Sequence, residues 1–296
     1  MAQSKSPSRS ASRPPQSPSP HATVSARWLL TALAISFPAA AFCTWIVFCL
    51  LFWQGSWQLL YHPASTLTRN PSTIGLAYDQ VSFAVSDTGV PQIQGWWIPA
   101  ASARYTALYL HDQAGNLGDT LNSLAELHAS GMNVLAFDYR GFGQSRFLRP
   151  SETSWQQDAA WALDYLTGTR HIDPHSVVIV GSGLGANLAL EMAASHQELA
   201  GVVLDSPIEA PVNVIFDDAR AKLVPARLLV RDRYDLNAPA AALHVPSLWL
   251  IDTASPTQAN INQIYGNVTA PKMRASDSAA KTFTQPLQGW LTNLEK

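Results

Sequence analysis

Between Trp28 and Trp53 the chain carries no charged residue. Fully helical, that run extends about 39 Å at about 1.5 Å per residue. It is long enough to cross a hydrocarbon layer of about 30 Å with some tilt. Trp28, Trp45 and Trp53 put aromatic rings near its ends, where membrane interfaces favour them. Pro38 is expected to kink the helix, which membrane helices tolerate. The apolar stretch outruns a cleavable signal core of about 7–15 residues and continues well past Ala39-Ala40-Ala41. A retained transmembrane helix over 27–54 is therefore predicted, with residues 28–53 meeting the bilayer.

From Ala77 onward short apolar runs take over. QVSFAV and QIQGWWIP read as two early strands joined at Asp87-Thr88-Gly89, and TALYLH as a short buried strand. The spacing predicts a helix from Asn116 to Ala129, stopped by Gly131. NVLAFDYR is the next strand, and Trp155 to Leu166 the next helix. VVIVG (177–181) is a continuous apolar, β-branched run, the pattern of a parallel strand buried on both faces. Leu184 to Ala194 is helical, GVVLD and PSLWLID are strands, and residues 279–294 close the chain with a helix. Strands alternating with helices of this length imply right-handed crossovers and a mostly parallel sheet. The expected fold class is α/β: a mostly parallel twisted sheet flanked by helices, spanning 60–296 as one domain.

Composition adds three points. Residues 1–26 are rich in Ser and Pro and too poor in apolar groups to offset ordering entropy, so a disordered tail is expected. Lys5, Arg9, Arg13 and Arg27 precede the apolar helix and no Lys or Arg follows until Arg69. That asymmetry predicts a cytoplasmic N-terminus and a globular domain on the periplasmic or extracellular side. Both cysteines, Cys43 and Cys49, lie inside the apolar helix, so the domain has no disulfide and no cysteine metal site. A formal net charge of −2 shows no bias toward nucleic acid. The sequence shows no metal-spaced His/Asp/Glu cluster and no phosphate loop followed by Lys, so no cofactor is expected. Gly181-Ser182-Gly183-Leu184-Gly185 lacks the spacing of a dinucleotide loop.

Three stretches, in order, carry a resemblance: LYLHDQAGN (108–116), FDYRGFGQS (137–145) and VVIVGSGLGANLAL (177–190), with weaker support from LDSP (204–207) and LLVRDRYD…VPSLWLI. Together they resemble the α/β-hydrolase superfamily, in particular its membrane-anchored, serine-hydrolase-like branch. The resemblance implies an α/β-hydrolase fold and, in an active member, a Ser nucleophile in G-x-S-x-G on a tight strand-to-helix turn. An Asp or Glu and then a His follow later in the chain.

The slots are filled differently here. Gly183 stands at the nucleophile position, and Ser182 is one residue early. After the late strand, Asp252 stands at the family's glycine and Ser255 at its aspartate. The loop around Ala275-Ser276-Asp277-Ser278 has no His, and the last His of the chain is His244. Fallback candidates are Ser182 as nucleophile, His111 in the oxyanion loop as base, and Asp252 or Asp205 as acid. Their bland readings are a loop-orienting His111 bonded to backbone, and carboxylates capping loop amides. Asp112 replaces the family's glycine after His111, where a carboxylate would repel a developing oxyanion. The Arg231-Asp232-Arg233 stretch reads as a structural ion-pair cluster.

The expected function is a membrane-anchored, non-catalytic hydrolase relative that binds a protein partner or a small apolar ligand. The alternatives are a serine hydrolase of esterase, acyl-hydrolase or peptidase type with a non-standard arrangement, and a tethered assembly factor working through its tail or membrane helix.

Overall fold

The computed structural model describes residues 25–251, 260–275 and 284–294. The tail before Ser25, the acid-slot residues Asp252 and Ser255, and the histidine-slot residues 276–278 lie outside the described residues. The chain divides into two compact units, residues 1–47 and 48–296.

In the first unit, Ser25 Oγ accepts a hydrogen bond from the Trp28 amide at 3.2 Å and opens helix α1 (Ala26–Gly55), which runs through Pro38 without a break in assignment. Its side chains in this unit are almost all exposed and apolar on every side, the pattern of a helix with no polar face to give to water. It is long and apolar enough to cross a membrane.

The second unit begins inside that helix, where Phe52 is buried in the core. Its sheet has eight strands: β1 (Asp79–Val85), β2 (Pro91–Ile98), β3 (Thr106–Leu110), β4 (Asn133–Asp138), β5 (Val177–Ser182), β6 (Gly201–Asp205), β7 (Ser247–Leu250) and β8 (Lys272–Ala275). Their order is β1-β2-β4-β3-β5-β6-β7-β8. Strand β2 runs antiparallel to both neighbours and every other pairing is parallel. Strict alternation sends successive side chains to opposite faces. Val177 and Ile179 join one core, with Trp155 and Leu188, while Val178 and Val180 join the other, with Leu121, Leu124 and Trp290. The sheet is thus buried on both sides, as its apolar strands require.

The helices that cover it depart from the expected limits at their starts. The predicted Asn116–Ala129 helix begins as a tight turn, Leu117–Asp119, before α2 (Leu121–Ala129), because Asn116 and Asp119 close a capping box around that turn. Helix α3 (Glu152–Asp164) starts earlier than Trp155, capped by Ser151, whose Oγ accepts from the Ser154 amide. Helix α4 (Leu184–Ser195) is as expected. Between β6 and β7 lie three short helices, α5 (Asn213–Phe216), α6 (Ala226–Leu229) and α7 (Asn237–Ala242), which no periodicity announced. The chain ends with α8 (Ile261–Asn267) and α9 (Thr284–Leu294).

Buried Asn187 on α4 fastens the irregular segment to the core. Its Nδ2 donates to the carbonyls of Ile208 (2.7 Å) and Tyr234 (2.9 Å), and its Oδ1 accepts from the Ile208 amide at 2.9 Å. Asn187→Ala strands these three buried backbone groups. The expected loss is about 3 kcal/mol of unfolding free energy, measured by urea denaturation with an unchanged m-value.

Among the described residues no ion pair holds the Arg231-Asp232-Arg233 stretch, contrary to expectation. Asp232 accepts from the Tyr61 hydroxyl (2.8 Å) and the Glu152 amide (3.2 Å). Arg233 donates to the carbonyls of Val230 and Asp232, and its amide bonds Glu152. The carboxylates of Asp232 and Glu152 tie this stretch to the start of α3, and the Arg233 guanidinium takes nearby carbonyls, since backbone groups must be satisfied when partly buried.

Candidate functional site

Strand β5 passes into α4 through Gly183, whose backbone lies at φ 55°, ψ −122°. Side chains with a Cβ rarely adopt that conformation, and glycine does so without strain. The turn sits close against β3: a Cβ on Gly185 would overlap the carbonyl oxygens of Leu110 and His111. The sharp strand-to-helix turn is therefore intact, although no side chain projects from its apex.

What occupies the space at the apex is Asp112. A Cβ placed on Gly183 would overlap the Asp112 carboxylate. Asp112 Oδ1 accepts from the Leu184 amide at 2.7 Å. This is the first amide after the turn, one of the pair of donors that stabilises an oxyanion in this kind of site. Burial pushes the Asp112 carboxyl above its usual range, and the neighbouring amides pull it partly back. The loop thus sets its own carboxylate on one of the site's donors.

Ser182 points elsewhere. Its Oγ donates to Asp205 Oδ2 at 2.9 Å. No imidazole is among the partners of Ser182 in the described residues. Asp205 was expected to cap loop amides. Its carboxylate takes the hydroxyls of Ser182 and Ser206, and its main-chain carbonyl accepts from the Gly183 amide at 2.9 Å.

His111 is buried beneath the loop rather than in it. Its Nδ1 donates to the Asp112 carbonyl at 2.8 Å, and its ring is surrounded by Tyr139, Phe142 and Trp155. Nε2 has no hydrogen-bond partner and stands 3.7 Å from Asp138 Oδ1. Burial lowers the imidazole to about 4 and raises the Asp138 carboxyl to about 7, although the Leu117 amide bonds the latter. The DYRGFGQS stretch is thus scaffold: Asp138 accepts from the Leu117 amide, Arg140 binds Asp158, and Ser145 takes the Gln94 amide.

Sequence reasoning placed Asp112 in the oxyanion loop but missed that its carboxylate fills the room left by Gly183. The signal was the pairing of two exchanges, a glycine at the apex and a carboxylate in the facing loop. A cleft of about 880 Å³ lies beside the loop, lined by Gln113, His62, Ile208, Glu209, Asp217 and Asn260 among others. Its residues come from segments without periodicity, so no pattern pointed to it. Among the described residues no group of three His, Cys, Asp or Glu is placed to hold a metal ion.

Comparison with known proteins places this geometry. A family model described as the α/β hydrolase fold matches residues 108–253. An uncharacterized protein of Mycobacterium tuberculosis is 30% identical over 198 residues, covering 66% of this chain and 68% of the relative. The human α/β hydrolase domain-containing protein 17C is 31% identical over 122 residues, covering 41% of this chain and 36% of the relative. An esterase of Pyrococcus furiosus superposes with a TM-score of 0.62 at 16% identity, covering 80% of this chain and 98% of that one; at that identity the likeness concerns the fold. Strand order, turn and matches together establish that the chain belongs to the α/β-hydrolase superfamily.

Proposed function

We propose that this is a membrane-anchored α/β-hydrolase relative without serine-hydrolase activity, which uses the cleft beside its oxyanion loop to bind a ligand or a protein partner. One observation carries the reading: the Asp112 carboxylate accepts from the Leu184 amide and sits in the space of the missing side chain at Gly183. A tetrahedral oxyanion needs that same donor, so the ground state of the protein competes with the transition state of the reaction. The helix from Trp28 to Trp53 supports anchoring, and the Lys and Arg residues before it support a cytoplasmic N-terminus.

The test uses the full-length chain in detergent or nanodiscs, exposed to a fluorophosphonate probe and to short-chain esters. The expected outcome is neither labelling nor turnover above the level of a Ser182→Ala variant. The Ser182–Asp205 hydrogen bond favours the second reading, a hydrolase using Ser182. Labelling that Ser182→Ala abolishes would establish that reading and overturn the first. Carbonate extraction tests the anchor, and a reporter fused after Lys296 tests the sidedness.

A further inference from the structure

The two most exposed large apolar side chains described anywhere in the protein lie outside the apolar helix. Phe147 is 82% exposed and Leu228 is 81% exposed, more than any large apolar side chain of the helix itself. Single exposed apolar residues are ordinary, but these two belong to segments that meet at one place. Arg149, two residues after Phe147, donates to the Trp53 carbonyl at 2.6 Å and lies over the Trp53 ring. Leu229, next to Leu228, shares a recess with Trp53 and Arg149. Leu223, itself 62% exposed, shares another with Leu51 and Phe52. Both segments therefore flank the last turns of the apolar helix, Phe48–Gly55, inside the second unit. Both are basic: 146–149 holds Arg146 and Arg149, and 219–231 holds Arg220, Lys222, Arg227 and Arg231, with no acidic residue in either. Arg220 is partly neutralised by Asp218; Lys222 and Arg227 have no ion pair among the described residues.

We propose that this face is a bilayer-docking surface. Phe147 and Leu228 enter the interface around the point where the helix leaves the membrane, and Lys222 and Arg227 meet anionic headgroups. The inference rests on the anchored reading above. Three observations favour a lipid surface over a protein partner: continuity with the apolar helix, apolar tips on two separate segments, and the cations Lys222 and Arg227 beside them, which outlie the Asp218 and Asp232 carboxylates at the ends of the second segment. Apolar insertion combined with basic residues is how proteins hold to anionic membrane surfaces.

The experiment uses the full-length chain with Cys43 and Cys49 changed to Ser. Single cysteines carrying an NBD fluorophore are placed by Phe147→Cys, Leu228→Cys, Val85→Cys and Phe37→Cys. The proteins are reconstituted in phosphatidylcholine vesicles with or without phosphatidylglycerol, and spin-labelled lipid is added. The expected result is loss of fluorescence at positions 37, 147 and 228 but not at 85. With phosphatidylglycerol present, Lys222→Glu with Arg227→Glu is expected to reduce the loss at 228 and leave 37 unchanged. Quenching at 37 alone overturns the docking surface and leaves the anchor standing. Absence of quenching at 37 overturns both. Shielding of 147 and 228 from aqueous iodide without lipid quenching would show a protein partner or second copy on this face, and also overturns the proposal.

Discussion

Gly183→Ser is expected to destabilise the protein by about 4 kcal/mol and to produce no hydrolase. Two independent costs add. The backbone at φ 55° strains a residue with a Cβ by about 1–3 kcal/mol. The new side chain must also displace the Asp112 carboxylate it overlaps, and overpacking of this kind costs about 1–3 kcal/mol. Urea denaturation reads the sum. In the Asp112→Gly background the same substitution should cost only its backbone share, because the overlap is gone. A double-mutant cycle then isolates the coupling between the two positions. If Gly183→Ser costs the same in both backgrounds, Asp112 does not fill the apex. The introduced hydroxyl still lacks a proton acceptor in the loop after the last strand, since the chain has no His beyond His244. A fluorophosphonate probe should therefore leave it unlabelled, and labelling would place an unrecognised base at the turn.

The pairing of Gly183 with Asp112 explains why the turn keeps a hydrolase geometry without a hydrolase apex. The φ and ψ of that residue follow from the close approach of α4 to β3 at Gly185, where backbone meets backbone. That packing does not depend on the identity of the apex residue. A glycine there removes strain, and Asp112 then accepts from the Leu184 amide, a donor that would otherwise be left partly buried and unsatisfied. The same carboxylate, held above its usual range by burial, is the local cost of closing the site.

Much of this was readable before any coordinates. β5 and β6 were legible because a parallel strand covered on both faces must be apolar at every position, and VVIV and GVVL are. The apolar helix was legible from length alone. The cap between β6 and β7 was not: α5, α6 and α7 are four to six residues long, too short for a 3.6-residue period to show, and each sends only one buried residue, Ile215, Ala226 or Ala240, into the core. The start of α3 was missed for a related reason. Its capping box is built from two serines, Ser151 and Ser154, in place of the serine–glutamate pair that makes such a box visible. At the site, the missing side chain at 183 could be read directly. Where the carboxylate of Asp112 would point could not, because it depends on how closely two loops from distant parts of the chain approach.

The largest pH effect should come from the buried pair beneath that loop. His111 is held near 4 and Asp138 near 7 by burial, so around pH 5.5 both are neutral. Their contributions to stability run in opposite directions. The folded Asp138 retains a proton that the unfolded chain gives up near pH 4, so its contribution falls as pH rises from about 4 to 7. The folded His111 refuses a proton that the unfolded chain takes up below about 6.5, so its contribution rises as pH goes from about 4 to 6.5. In the wild type the two slopes largely cancel over that interval. Asp138→Asn removes the falling slope while its side-chain oxygen still accepts from the Leu117 amide. Its stability relative to wild type should climb by about 1.4 kcal/mol per pH unit, or about 4 kcal/mol in all from pH 4 to 7. His111→Phe, a ring of similar shape among Tyr139, Phe142 and Trp155, removes the rising slope. Its stability relative to wild type should fall by about 3 kcal/mol from pH 4 to 6.5. Urea midpoints of the three proteins across this range measure both slopes. Parallel curves for all three would mean that the His111–Asp138 pair is an ordinary ion pair, with both groups charged beneath the loop.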